Sequence, residues 1–281
     1  MTEQILRVNG VDLCAETFGS PADPAVLLIM GSTGSMDLWE DDFCDRLAAH
    51  GRFVIRYDHR DTGRSVAYPP GEPGYTFPDL VEDAVGVLDA HDVDRAHVVG
   101  LSMGGGIAQL LAVDHPDRVA TLTLISTSPS GPNDPTLPPM HPSLSAHFAA
   151  GGTPEPDWTS RDSVIDYLVA ANRPFQGPRP VDEDAARALA GRVFDRSPHI
   201  ASSANHFRVG GGEPWRARLG GIGVPTLVVH GDVDPLLPPG HAEALVAEIP
   251  GARLLVLPET GHELPAGVRD LFIEHLVAHT G

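Results

Sequence analysis

The sequence predicts an α/β fold: a mostly parallel central sheet with helices on both faces, interrupted by one helical insertion. Three observations predict it. Short continuous apolar runs bounded by turn residues recur along the chain without the alternation of a half-exposed strand, so both of their faces expect cover. Helical patterns alternate with these runs, the rhythm of strand–helix–strand units around a parallel sheet. The rhythm breaks once, between about residues 128 and 212, where Pro-rich sequence flanks short helical segments. A chain of 281 residues, 42% hydrophobic and 20% charged, fits one catalytic domain with such an insertion better than two independent domains.

The elements follow in order. Residues 5–8 and 11–18 are β-prone runs on either side of Asn9-Gly10, a two-residue hairpin signal. Further strands are predicted at 25–30, 53–57, 96–101, 119–125, 224–230 and 253–257, and helices at 38–50, 78–91, 103–114, 240–248 and 267–279. Within the insertion, Pro-rich stretches at 128–142 and 174–180 flank helical segments at 163–171 and 184–194, and Gly210-Gly211-Gly212 would serve as the return hinge. The expected organisation is a sheet core at 1–127 and 213–281 with a cap at 128–212.

Composition removes several function classes. The net charge of −19 repels nucleic acid phosphates and anionic headgroups, so neither a nucleic acid nor a membrane partner is expected. All 19 basic residues are arginine. Without lysine there is no Schiff-base chemistry, no P-loop lysine and no Tyr-x-x-x-Lys pair. Cys14 and Cys44 have neither a redox nor a zinc spacing. Met1-Thr2-Glu3-Gln4 carries no basic or apolar leader pattern and the longest apolar run, 25–30, is far too short to span a bilayer, which predicts a soluble cytoplasmic protein.

The predicted strand at 96–101 runs into Gly100-Leu101-Ser102-Met103-Gly104, after which a helical pattern begins. In a G-x-S-x-G turn the serine sits on a sharp strand-to-helix bend that exposes its hydroxyl. Random placement gives about 0.17 matches in a chain of this composition, so the context carries the signal more than the pattern does. The same stretch also reads as G-x-x-x-G-x-G, a dinucleotide spacing. That reading suffers because the motif lies a hundred residues from the start and no lysine accompanies it.

A nucleophilic serine needs a base and an orienting acid. His262 follows the last predicted strand, and Asp232 and Asp234 follow the strand before it, at carboxyl ends where open parallel sheets bind ligands. Asp234 is favoured as the acid, with Asp232 two residues away as the alternative. His262-Glu263 begins like a zinc H-E-x-x-H, but Ala266 occupies the fifth position and Pro265 breaks the turn. The charged stretch Asp58 to Ser65 reads as a salt-linked brace, and His275 with His279 as a solvated pair at a helix end. Met140, His147, Phe148, Trp158, Tyr167, Phe175, His206 and Phe207 could line a pocket or simply pack the insertion.

With G-L-S-M-G, G-D-V-D-P and T-G-H in this order, the chain resembles the α/β-hydrolase family over nearly its whole length outside the insertion. More narrowly, residues 21–31, 54–65 and 94–103 look like the aclacinomycin-methylesterase group of actinobacterial enzymes, which hydrolyse a methyl ester on an anthracycline. The resemblance implies the α/β-hydrolase fold, with Ser102 as nucleophile, Asp234 as acid and His262 as base. It also implies that the backbone N–H groups of Ser32 and Met103 bind the oxyanion, Ser32 standing where that group has glycine. The expected activity is hydrolysis of a small hydrophobic ester, by resemblance a methyl ester of an aromatic polyketide, with no metal or organic cofactor. A cofactor-free perhydrolase or a C–C bond hydrolase would use the same three residues. A non-catalytic ligand receptor on the same fold is the reading from a different class, and the serine at 102 disfavours an aspartate-nucleophile dehalogenase or epoxide hydrolase.

Overall fold

The computed structural model describes residues 3–130, 134–210 and 212–281. β1 (Gln4–Val8) and β2 (Val11–Phe18) form the opening hairpin, in which Asn9 and Gly10 take φ values of 44° and 77°. Two left-handed residues give a two-residue turn the twist of its strands. β3 (Ala25–Ile29), β4 (Phe53–Tyr57), β5 (Ala96–Leu101), β6 (Val119–Ile125), β7 (Thr226–Gly231) and β8 (Arg253–Leu257) complete an eight-stranded sheet. Its order is β1-β2-β4-β3-β5-β6-β7-β8, with the β1–β2 and β2–β4 pairings antiparallel and the rest parallel. From β3 the chain goes first to β4 on one side and then to β5 on the other. The loops after β3 and β5 therefore diverge, and a crevice opens between them at the carboxyl ends of the strands.

Strand periodicity sorts the buried side chains into two cores. On one face, Leu27, Ile29, Val98, Leu122 and Val228 pack against α2 (Phe77–Ala90), α3 (Met103–Asp114) and α7 (Gly240–Glu248). On the other, Val26, Leu28, Val99, Ile125 and Val229 meet Phe43 and Leu47 of α1 (Asp41–Ala49) and Phe272 and Leu276 of α8 (Ala266–His279). Alternate residues of the inner strands thus serve opposite cores, which explains why their runs lack a polar face; the edge strand β8 departs from the expected cover, with Leu254 and Val256 exposed.

Between β6 and β7 lie α4 (Pro142–Ala149), α5 (Arg161–Asn172), α6 (Glu183–Arg196) and a 3₁₀ helix at Ile200–Phe207. α5 and α6 close over a small core of Val164, Val193 and Ile200, with Trp158 packed against it. Sequence reading missed α4 because its first residue is a proline at the end of a Pro-rich stretch. Proline fits the first helical position, where no intrahelical N–H bond is lost, and the His141 side chain accepts the Ser143 N–H as the cap. The 3₁₀ helix also escaped notice, since its eight residues show no helical period. Of the glycine triplet, Gly211 lies outside the described residues.

Long-range polar contacts tie this segment to the sheet. Arg196 sits among Glu3, Asp37 and Asp58, 2.6 Å from the Asp37 carboxylate. The Asn205 side chain donates to Asp61 (3.0 Å) and to the Pro69 carbonyl (3.1 Å) and accepts from the Gly71 N–H (2.6 Å). Buried arginine and amide groups are tolerable because every one of these partners is polar.

Candidate active site

Ser102 stands between β5 and α3 with φ 52° and ψ −114°. A non-glycine residue there is strained, and the surroundings must hold it. They do so through backbone. The Ser102 N–H donates to the Ile125 carbonyl (2.9 Å), and the Ser102 carbonyl accepts from the Thr127 hydroxyl (2.8 Å) and the Gly105 N–H (2.9 Å). A Cβ on Gly100 would lie 2.2 Å from the Gly104 carbonyl oxygen, and one on Gly104 would lie 2.2 Å from that of Ile29. The two glycines of G-x-S-x-G are space requirements of the bend, and α3 begins directly behind the serine with its positive end toward it.

His262 reaches this hydroxyl. Its Nε2 is 2.9 Å from Ser102 Oγ and its Nδ1 is 2.8 Å from Asp234 Oδ2. A carboxylate can only accept, so the proton belongs on Nδ1 and the Nε2 lone pair faces the serine O–H. Asp234 is only 3% exposed, and its other oxygen accepts the N–H groups of Leu236 and Leu237, each at 2.9 Å. Asp232 instead accepts the Thr260 N–H at 3.2 Å and braces the loop that carries His262. The histidine loop is also gripped from the insertion: the His262 N–H donates to the Phe175 carbonyl and the Gly177 N–H to Glu263, both at 2.8 Å. Burial raises the Glu263 carboxyl above its ordinary range.

The other wall of the crevice is the turn after β3. Gly31 approaches closely enough that its Cβ position is 3.3 Å from Ser102 Cβ. Next to it, the N–H groups of Ser32 and Met103 have no protein acceptor among the described residues. His59 donates from Nε2 to the Met30 carbonyl at 2.9 Å, and the Thr33 N–H donates to His206 Nδ1 at 2.8 Å. Burial pushes both imidazoles down to about 4. Sequence reading gave His206 only as one of several pocket or packing residues and did not single out His59.

The stretch from Asp58 to Ser65 is buried apart from the exposed Arg64. Asp58 meets Arg196 and accepts the Met36 and Arg64 N–H groups (2.8 and 3.0 Å), while Arg60 pairs with Asp83 at 2.7 Å and Asp61 accepts the Tyr75 hydroxyl at 2.8 Å. His279 differs from expectation: it is 8% exposed, and its Nε2 donates to the Leu122 carbonyl at 3.1 Å. Burial pushes the thiols of Cys14 and Cys44 up to about 12, so neither supplies a thiolate. Of the aromatic residues in the insertion, Trp158 packs on Tyr167, Phe175 lies 6.4 Å from the His262 ring, and Phe148 is 6.1 Å beyond Phe175 and partly exposed. Among the described residues no helix is long and apolar enough to cross a membrane.

The family described as alpha/beta hydrolase fold matches residues 24–265. The chain belongs to that family. Within it, the chain is similar to the rhodomycin D methylesterase DauP of Streptomyces sp. (strain C5), 36% identical over 100% of this chain and 98% of that protein. The rhodomycin D methylesterase DnrP of Streptomyces peucetius is 35% identical with the same coverage. Among solved structures, an esterase (EaEST) from Exiguobacterium antarcticum superposes with a TM-score of 0.81 over 99% of both chains at 24% identity. The α/β-hydrolase fold thus agrees with the expectation from sequence.

Proposed function

We propose that this chain is a serine hydrolase that cleaves a carboxylic ester through a Ser102–His262–Asp234 triad, with a methyl ester of an aromatic polyketide, or of a similarly bulky hydrophobic acid, as substrate. One observation carries the reading: an unbroken hydrogen-bonded line from Ser102 Oγ through His262 to Asp234, at 2.9 and 2.8 Å, on a strained strand-to-helix bend. Full-length similarity to two rhodomycin D methylesterases supports the methyl ester.

The chemistry follows from the protonation pattern. Ser102 Oγ attacks the ester carbonyl as its proton passes to His262 Nε2, and Asp234 stabilises the imidazolium that results. The carbonyl oxygen becomes an alkoxide between the Ser32 and Met103 N–H groups, two donors with no competing acceptor among the described residues. Collapse breaks the bond to the alcohol oxygen, which leaves with the proton from His262. Water then loses a proton to His262 and attacks the acyl carbon, and the second collapse returns that proton to Ser102 and releases the acid. Each cycle consumes one ester and one water and yields one acid and one alcohol. In this proposal residues 128–212 cap the crevice and the partner is a small hydrophobic ester.

The test is mass-spectrometric product analysis after incubation with an anthracycline methyl ester and with p-nitrophenyl butyrate, using Ser102→Ala as blank. Ser102-dependent loss of the methyl group is expected. Cleavage of the small ester alone would discard the polyketide substrate, and no Ser102-dependent product from either would discard the hydrolase reading.

A further inference from the structure

We propose that His206 is a positioning residue for oxyanion binding: its Nδ1 holds the Thr33 N–H and so fixes the turn that presents the Ser32 N–H to the Ser102 site. The proposal rests on the ester-hydrolase reading above and adds to it a residue from the opposite end of the insertion, 173 positions from its partner.

The turn needs such a restraint. Thr33 has φ 65°, a left-handed conformation that is costly for a β-branched residue. Its neighbour Ser32 is the proposed donor, and a peptide N–H is aimed by the torsions on either side of it. Left alone, Thr33 would relax toward negative φ, rotating the Ser32–Thr33 peptide and, through the Ser32 torsions, displacing the Gly31–Ser32 peptide that carries the Ser32 N–H. The bond from the Thr33 N–H to His206, at 2.8 Å, opposes this.

Two backbone partners fix how the imidazole can act. A carbonyl oxygen only accepts, and the Arg60 carbonyl lies 2.8 Å from His206 Nε2, so the ring proton sits there. Nδ1 is left as a bare lone pair facing an N–H. His206 is 6% exposed, and both ring nitrogens are spent on backbone, one on each of two loops. Burial keeps the ring neutral at ordinary pH, the state in which Nδ1 accepts.

His59 completes the restraint from below. It donates to the Met30 carbonyl at 2.9 Å and meets the His206 ring edge to face, with centroids 5.8 Å apart. The segment from Met30 to Thr33 is thus held at both ends by a pair of packed imidazoles. His206 is itself immobilised by its own short helix. Asn205 bonds Asp61, Pro69 and Gly71, and the Ser202 hydroxyl donates to the Tyr68 carbonyl at 2.7 Å.

The test compares His206→Phe, which keeps a ring but removes the acceptor, with His206→Asn, whose side-chain oxygen can still take the Thr33 N–H. The readouts are kcat and KM for p-nitrophenyl butyrate and inhibition by an alkyl boronic acid, which forms a tetrahedral anionic adduct on serine. Removing a single oxyanion donor costs about 10²- to 10³-fold in kcat, and misaiming one is expected to cost His206→Phe roughly 30- to 300-fold. KM should stay within about twofold, boronate inhibition should weaken in parallel with kcat, and Asn should recover about tenfold. A folded His206→Phe with kcat and boronate affinity within about threefold of wild type overturns the proposal. So does loss confined to KM.

If neither variant folds, the wild-type protein supplies the measurement. A scalar coupling across the hydrogen bond between the Thr33 amide and His206 Nδ1 should be detected by NMR and should persist on boronate binding; its absence from the boronate complex overturns the proposal. Wild type without Ser102-dependent turnover overturns the parent reading and this proposal with it, whereas Ser102-dependent turnover that ignores His206 overturns this proposal alone.

Discussion

The two walls that face each other across Ser102 are built by different means. On the α3 side, Ser102 is held by backbone hydrogen bonds and by glycines whose missing side chains leave room for neighbouring carbonyl groups. On the β3 side, the turn at Met30–Thr33 is held by imidazoles brought from residues 59 and 206. The first wall is local and dense, with most of its contacts inside the motif or on the next strand. The second depends on distant side chains and on how the insertion sits. A defect in the first should therefore disrupt folding or remove the nucleophile, and a defect in the second should weaken catalysis in a protein that still folds.

The largest expected effect is at the proposed nucleophile. Ser102→Ala should lower kcat by about 10⁴- to 10⁶-fold with an unchanged circular dichroism spectrum; near-normal turnover would remove Ser102 from the chemistry. Asp234→Asn should cost about 10⁴-fold by favouring the wrong tautomer of His262. Asp232→Asn should cost less than about tenfold, because that carboxylate braces a loop and does not touch the imidazole. Equal losses from the two would collapse the distinction between them.

Gly104→Ala tests the dense wall directly. A methyl group 2.2 Å from the Ile29 carbonyl oxygen has nowhere to go, and destabilisation of about 3 kcal/mol or outright failure to fold is expected in denaturant titration. A substitution tolerated within about 0.5 kcal/mol would show that the wall yields more than its spacing implies.

A more gradual effect concerns acid, and it separates the two walls. In the unfolded chain the His59 and His206 imidazoles titrate near 6.5, while burial holds them at about 4 in the folded protein. Between these values the unfolded state binds the extra protons. Stability is therefore full above pH 6.5 and declines as pH falls toward 4, by at most roughly 3 kcal/mol for each ring. Replacing His206 with Phe should flatten that part of the pH–stability curve. An unchanged slope would mean that the ring is already charged in the fold.

The contrast between the walls also explains what the sequence made legible. Strands such as 25–30 and 119–125 could be read because burial on both faces leaves an unbroken apolar run. Ser102, His262 and Asp234 could be singled out because each follows a strand within a short motif, and the fold brings the three side chains together. The choice between Asp232 and Asp234 needed geometry, since both lie in one turn and only one points at the imidazole. His206 gave no local signal: a single histidine in an irregular stretch acquires its partners only when residues 33 and 60 are folded beside it. His279 shows the same limit, because a helix-end histidine reads as solvated unless the neighbouring strand is known to cover it.

The crowding around Gly100 and Gly104 has one further consequence, for which positions can drift. The Ser102 hydroxyl faces His262, whereas the glycines beside it face backbone: Gly100 the Gly104 carbonyl at the start of α3, and Gly104 the Ile29 and Met30 carbonyls at the end of β3. Intolerance to change thus extends to positions that take no part in the proposed chemistry. Neither Gly100 nor Gly104 can gain a methyl group without moving backbone. The bend is a socket whose shape is fixed by residues that carry no functional group.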